Sequence, residues 1–130
     1  MIKVNKNYIS DAEFYASFDT RLNKPFFKSK ENQELFKLSI SNYLEDNDIS
    51  IKEYYFDPDG YRIILRIVAT PLVANANIVY NLKKLSAAKL IKEKANRLLL
   101  KGEHAIWTRK YLISNSREGI ENLIKVSEDN

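Results

Sequence analysis

The sequence predicts an α+β domain in which helices pack on a four-stranded, mostly antiparallel sheet, the ferredoxin-like or split βαβ arrangement. Three observations carry this. Stretch 13–21 alternates as a half-buried strand does, and stretch 49–69 has the β-branched and aromatic runs of central strands. Segments with apolar residues three and four apart, the spacing of a helix face, separate the strands. Asp57-Pro58-Asp59-Gly60 divides the second stretch into two strands joined by a tight turn. The expected order is β-α-β-β-α-β-α, with helices on one face.

Residues 1–13 are polar and aperiodic and read as the N-terminal arm of one domain that spans 1–130. In EFYASFDTR, 13–21, Phe14, Ala16 and Phe18 share one side of a half-buried strand. Asn23-Lys24-Pro25 interrupts it, Phe26 and Phe27 form a short apolar anchor, and Ser29 stands at an N-cap position. A helix over 31–45 then presents Phe36, Ile40, Tyr43 and Leu44. After the hairpin a long helix begins near Ala74 and stops near Gly102, with Ile78, Leu82, Leu85, Ile91, Ala95 and Leu98 as its buried stripe. AIWTRKYLIS, 105–114, reads as the fourth strand, and Ser116 caps a last helix over 117–127 that packs through Ile120, Leu123, Ile124 and Val126. Leu82, Leu85, Leu90 and Trp107 belong to the core.

A chain of 130 residues that is 45% hydrophobic can bury a core without staples. It contains no cysteine, which excludes disulfides and thiolate metal sites and suggests a reducing, cytoplasmic setting. No signal-like or membrane-spanning apolar run is visible. The formal charge of +4 is uneven: residues 1–65 carry 9 Lys/Arg against 11 Asp/Glu, and residues 66–130 carry 12 against 6. An anionic partner would therefore meet the C-terminal half first.

Five stretches resemble one known family together: FYASFDTRLNKPFF at 14–27, ENQELF at 31–36, DPDGYRIILR at 57–66, LKKLSAAKL at 82–90 and IWTRKYLIS at 106–114. They are similar, in order and spacing, to the single-tyrosine HUH transposases, the small transposases of the IS-two-hundred type and their REP-associated relatives. The resemblance implies a homodimer that grips a DNA hairpin and cuts the adjoining single strand. In that family two histidines, placed i and i+2 after a turn containing Pro-Asp or Pro-Asn, hold a divalent metal, and a tyrosine on the last helix attacks the phosphate.

Carried over onto Pro58-Asp59, the family pattern puts Gly60 and Arg62 at the two histidine positions, on one face of the following strand. Val126 falls at the tyrosine position and Asn130 at a later polar ligand position. The only histidine, His104, lies outside the motif. Metal ligands and nucleophile are missing together, so the resemblance implies neither catalytic residues nor a metal or other cofactor. The expected function is binding of hairpin or single-stranded DNA, or RNA, without cleavage. The alternative is a domesticated protein–protein interaction module on the same fold with no nucleic-acid role.

Candidate phosphate contacts are Arg62, Lys83, Lys84, Lys89, Arg109 and Lys110. Arg62 would supply a fixed guanidinium where the family places a metal, or else pair with Asp57 or Asp59. The others combine a basic helix with a strand on which Trp107 and Tyr111 alternate with Arg109, an interleaving of cations and aromatic faces suited to nucleic acid, although a solvated helix face has the same composition. Tyr80 and Tyr111 have no visible base beside them. Asp57, Asp59 and Glu53 could hold a hard cation, but Asp-Pro-Asp-Gly is first a turn sequence.

Overall fold

A computed structural model describes residues 12–70, 74–93 and 106–129. Strand β1 (Ala12–Asp19) leads through two 3-10 turns (Arg21–Asn23 and Phe26–Lys28) to helix α1 (Lys30–Asp46). Strands β2 (Ser50–Phe56) and β3 (Arg62–Ala69) form the hairpin. Helix α2 (Asn75–Glu93), the short strand β4 (Leu112–Ser114) and helix α3 (Arg117–Asp129) follow. The sheet runs β2-β3-β1-β4 with every pairing antiparallel. This is the expected split βαβ order. No helix among the described residues is long and apolar enough to cross a membrane.

Alternation in β1 and β3 builds the main core. Phe14, Ala16 and Phe18 stand opposite Ile67, Leu65 and Ile63, and all six are buried. Onto this face α1 packs Phe36 and Ile40, and α2 packs Ile78, Val79, Leu82 and Leu90. Leu85 lies at its edge, partly buried. The Phe26-Phe27 anchor is fully inside. Its carbonyls are satisfied by α1: Asn32 Nδ2 donates to Phe26 O (2.8 Å) and Gln33 Nε2 to Phe27 O (2.7 Å). Ser29 caps α1 by accepting from the Asn32 N–H (3.2 Å), and Ser116 caps α3 by accepting from the Gly119 N–H (2.9 Å). Both caps match the sequence reading.

Two expectations need correction. The helices do not share one face, because α3 lies across the side opposite α1 and α2. There the Arg117 guanidinium sits 5.4 Å from the ring centroid of Tyr55, and Glu128 reaches Arg62. Ile64 and Ile120 are buried outside the main core, whereas Leu123 and Val126, expected as packing contacts, are exposed. A single helix cannot turn its whole apolar set onto half a sheet face.

The fourth strand is also much shorter than 105–114. Trp107 bridges Thr20 and Leu112 pairs with Ser17, so residues 108–111 span only residues 18 and 19 opposite. The two extra residues leave the ladder and stand out as a ridge. Helix α2 starts as expected, but Lys94, Ala95, Arg97, Leu98, Gly102, His104 and Asn130, like the side chain of Ile91, lie outside the described residues.

Candidate functional site

The hairpin turn explains why Gly60 is glycine. Its φ is +81°, in the left-handed region, and a Cβ there would stand 2.6 Å from the Lys28 backbone nitrogen. The Phe27 N–H donates to the Gly60 carbonyl (2.9 Å), which ties the turn to the aromatic anchor. Asp57 Oδ1 accepts from the backbone N–H groups of Gly60 (2.9 Å), Tyr61 (3.2 Å) and Arg62 (3.2 Å). Asp57 is therefore a turn residue, and no group of three His, Cys, Asp or Glu suited to a metal occurs among the described residues. Strand β3 begins only at Arg62, so Gly60 does not share a strand face with it as the sequence suggested.

The Arg62 guanidinium is held by neither Asp57 nor Asp59. It forms a two-pronged pair with Asp19, its antiparallel partner across the sheet, through Nε to Oδ1 (2.9 Å) and Nη2 to Oδ2 (3.1 Å). Nη1 donates to Glu128 Oε2 on α3 (2.8 Å). With 14% of its side chain exposed, the guanidinium is enclosed by these carboxylates. Hydrogen bonding to Asp19, and then to Glu128, raises its pKa above the ordinary arginine value against the opposing effect of burial. The register that sets Asp19 opposite Arg62 comes from the structure, and it turns two distant opposite charges into a cross-strand pair. Glu128 carried no sequence signal either.

Lys83 is likewise engaged. Its Nζ donates to the carbonyls of Thr108 (2.7 Å), Arg109 (3.3 Å) and Lys110 (3.3 Å), and lies 5.5 Å from the Tyr111 ring centroid. This ammonium supports the 108–111 ridge and uses all three of its donors to do so. Burial pushes the Lys83 pKa below the usual lysine value.

The remaining predicted cations divide between surfaces. Lys84, Arg109 and Lys110 are exposed. A groove of about 610 Å³ between α2 and the ridge is lined by Tyr80, Lys83, Lys84, Trp107, Arg109 and Tyr111, over a floor that includes Ala76, Ala87 and Ile106. On the other side of the ridge a cavity of about 440 Å³ brings together Arg62, Arg109, Lys110 and Tyr111 with Asp19 and Ser17. Lys89 is elsewhere, in a separate hollow between α1 and α2 beside Leu38 and Lys92. Trp107 is a core residue, as expected. Its ring stacks on Phe27 at 5.5 Å and its Nε1 donates to the buried Ser86 hydroxyl (2.9 Å). Tyr80, 61% exposed and 6.0 Å from Lys84 Nζ, offers an open aromatic face instead. Val126 is 58% exposed on α3.

Among solved structures, the chain superposes with a TM-score of 0.76 on a candidate transposase from Deinococcus radiodurans R1, at 17% identity over 95% of this chain and 92% of that one. The fold is transposase-like. A REP-associated tyrosine transposase, solved bound to a REP hairpin, matches with a TM-score of 0.57 at 12% identity, over 91% of this chain and 70% of that one. At such identities the transposase likeness is one of fold. No protein-family model matches the sequence, and no curated protein matches it.

Proposed function

We propose that this chain is a nucleic-acid-binding protein on a transposase scaffold, which grips hairpin or single-stranded DNA, or RNA, without cutting it. The observation that carries the reading is the clustering of Lys84, Arg109 and Lys110 around the 108–111 ridge, with the aromatic faces of Tyr80 and Tyr111 between them. Cations at this spacing follow a phosphate backbone, and tyrosine rings stack on unpaired bases. The hairpin bound by the REP-associated relative fits the same reading. Two features argue for binding without cleavage: Gly60 has no room for a side chain, and Arg62 is enclosed by carboxylates rather than opposite a second ligand. Neither holds a metal, and Val126 is no nucleophile.

The test is to mix the protein with a labelled hairpin bearing single-stranded flanks, in magnesium or manganese. A retarded complex on a native gel, with neither shortened strand nor covalent protein–DNA adduct on a denaturing gel, is the expected outcome. A metal-dependent nick that a single Tyr→Phe substitution abolishes would overturn it.

A homodimer belongs to this proposal. What supports it is that the three-residue strand β4 is the outermost strand among the described residues, and that Leu123 and Val126 are exposed on α3, the helix packed beside it. Light scattering at tens of micromolar should give twice the chain mass. A monomer there would remove the dimer but leave the binding proposal intact.

A further inference from the structure

Arg62 is held by two carboxylates in unequal ways. Asp19 grips it through two hydrogen bonds from a paired strand, whereas Glu128 accepts one, is 50% exposed, and sits in the last turn of α3. We propose that Glu128 occupies the place of an anion: Arg62 and the adjoining ridge form a phosphate site that the chain's own carboxylate caps until a phosphate displaces it.

The cavity beside the pair supports this. At about 440 Å³ it is the size of a small-ligand site, and it is lined by Arg62, Arg109 and Lys110 together with Ser17, Thr108 and Ser127. Among the described lining residues Asp19 is the one carboxylate. Among the described residues, three cations stand against Asp19 and the capping Glu128, a balance that favours an entering phosphate which displaces Glu128 from its single half-exposed bond. Asp19 keeps the guanidinium plane fixed during the exchange, and the cation is therefore already oriented for its new partner. Because Ser127 also lines the cavity, the exchange takes place under the end of α3, and anion binding loosens the attachment of that end to the sheet.

The identity of the anion as a phosphodiester rests on the nucleic-acid reading, whereas the site itself does not. The experiment uses the full chain as wild type, Glu128→Gln, Glu118→Gln and Arg62→Leu/Glu128→Gln. Binding of a labelled flanked hairpin is followed by fluorescence anisotropy. Thermal unfolding is followed in inorganic phosphate and in chloride of matched ionic strength. A half-exposed ion pair is worth a few-fold in an equilibrium, so Glu128→Gln should bind the oligonucleotide about three- to fivefold more tightly than wild type. Glu118→Gln removes the same charge from an exposed position at the other end of the helix and should gain less than about twofold. The Arg62→Leu background should abolish the gain, and phosphate should raise the melting temperature of Glu128→Gln more than that of wild type.

The proposal is overturned if Glu128→Gln binds both ligands no better than wild type, or if Glu118→Gln gains as much. If no chain binds the oligonucleotide but phosphate still favours Glu128→Gln, the site stands for free phosphate and the nucleic-acid reading fails. If every chain binds the oligonucleotide alike and phosphate has no preferential effect, the reading stands and the capped site fails.

Discussion

Replacing Phe36 with alanine is expected to destabilise the protein by about 3–5 kcal/mol, the range for emptying a fully buried aromatic site. Phe36 is completely enclosed, and its ring centroid lies about 6 Å from those of five others: Phe18 at 6.4 Å, Phe27 at 5.9 Å, Tyr54 at 6.3 Å, Phe56 at 6.0 Å and Trp107 at 6.0 Å. Most of these contacts are edge-to-face, the arrangement that adds to simple area burial. The cavity left behind would open between α1, the hairpin and the Phe26-Phe27 anchor, all of which are fixed by backbone hydrogen bonds and cannot collapse into it. Urea unfolding of the variant beside Phe36→Leu checks this: the leucine variant should lose roughly a third as much. A loss below about 1.5 kcal/mol for Phe36→Ala would mean that the aromatic cluster is not the centre of the core.

The second large effect is on binding. Changing Lys84, Arg109 and Lys110 together to alanine should weaken hairpin binding by about a hundredfold at low salt, since each phosphate contact released contributes a few-fold to tenfold. All three side chains are exposed, so the folded state should survive with a stability change within about 1 kcal/mol. Lys83 is deliberately left in place. Its ammonium holds the carbonyls of 108–110, and removing it would confuse loss of charge with collapse of the ridge. Anisotropy of a labelled hairpin measures the change, with circular dichroism confirming the fold. Binding within about threefold of wild type would place the interface elsewhere on the molecule.

The parts of the fold governed by local rules were legible in the sequence. Alternation located β1, runs of β-branched and aromatic residues located the hairpin strands, Ser29 and Ser116 marked the helix starts they cap, and Asp57-Pro58-Asp59-Gly60 marked the reversal. Long-range partners were not. Arg62 is 43 residues from Asp19 and 66 from Glu128, and its neighbours in sequence, Asp57 and Asp59, looked like the natural acceptors. Lys83 read as a candidate phosphate contact on a basic helix, because its partners are backbone carbonyls, which every residue possesses and no sequence pattern marks. The shortening of β4 was hidden for a similar reason: the residues of 108–111 are compatible with a strand, and only the pairing of Trp107 with Thr20 and of Leu112 with Ser17 forces two of them out of the ladder. The exposure of Leu123 and Val126 shows the limit of reading helix faces from periodicity, which gives an apolar stripe but not the width of the surface available to cover it.

The most direct test of the account is the salt dependence of hairpin binding by the wild-type chain. Anisotropy titrations of a hairpin with single-stranded flanks between 50 and 200 mM salt, roughly the range over which counterion release is resolved, should give a logarithmic affinity that falls linearly with the logarithm of salt concentration. Three or more phosphate contacts predict a slope of about −3 or steeper. An absence of binding at the lowest salt, or an affinity indifferent to salt, would contradict the central claim and turn the search toward a protein partner on the same scaffold.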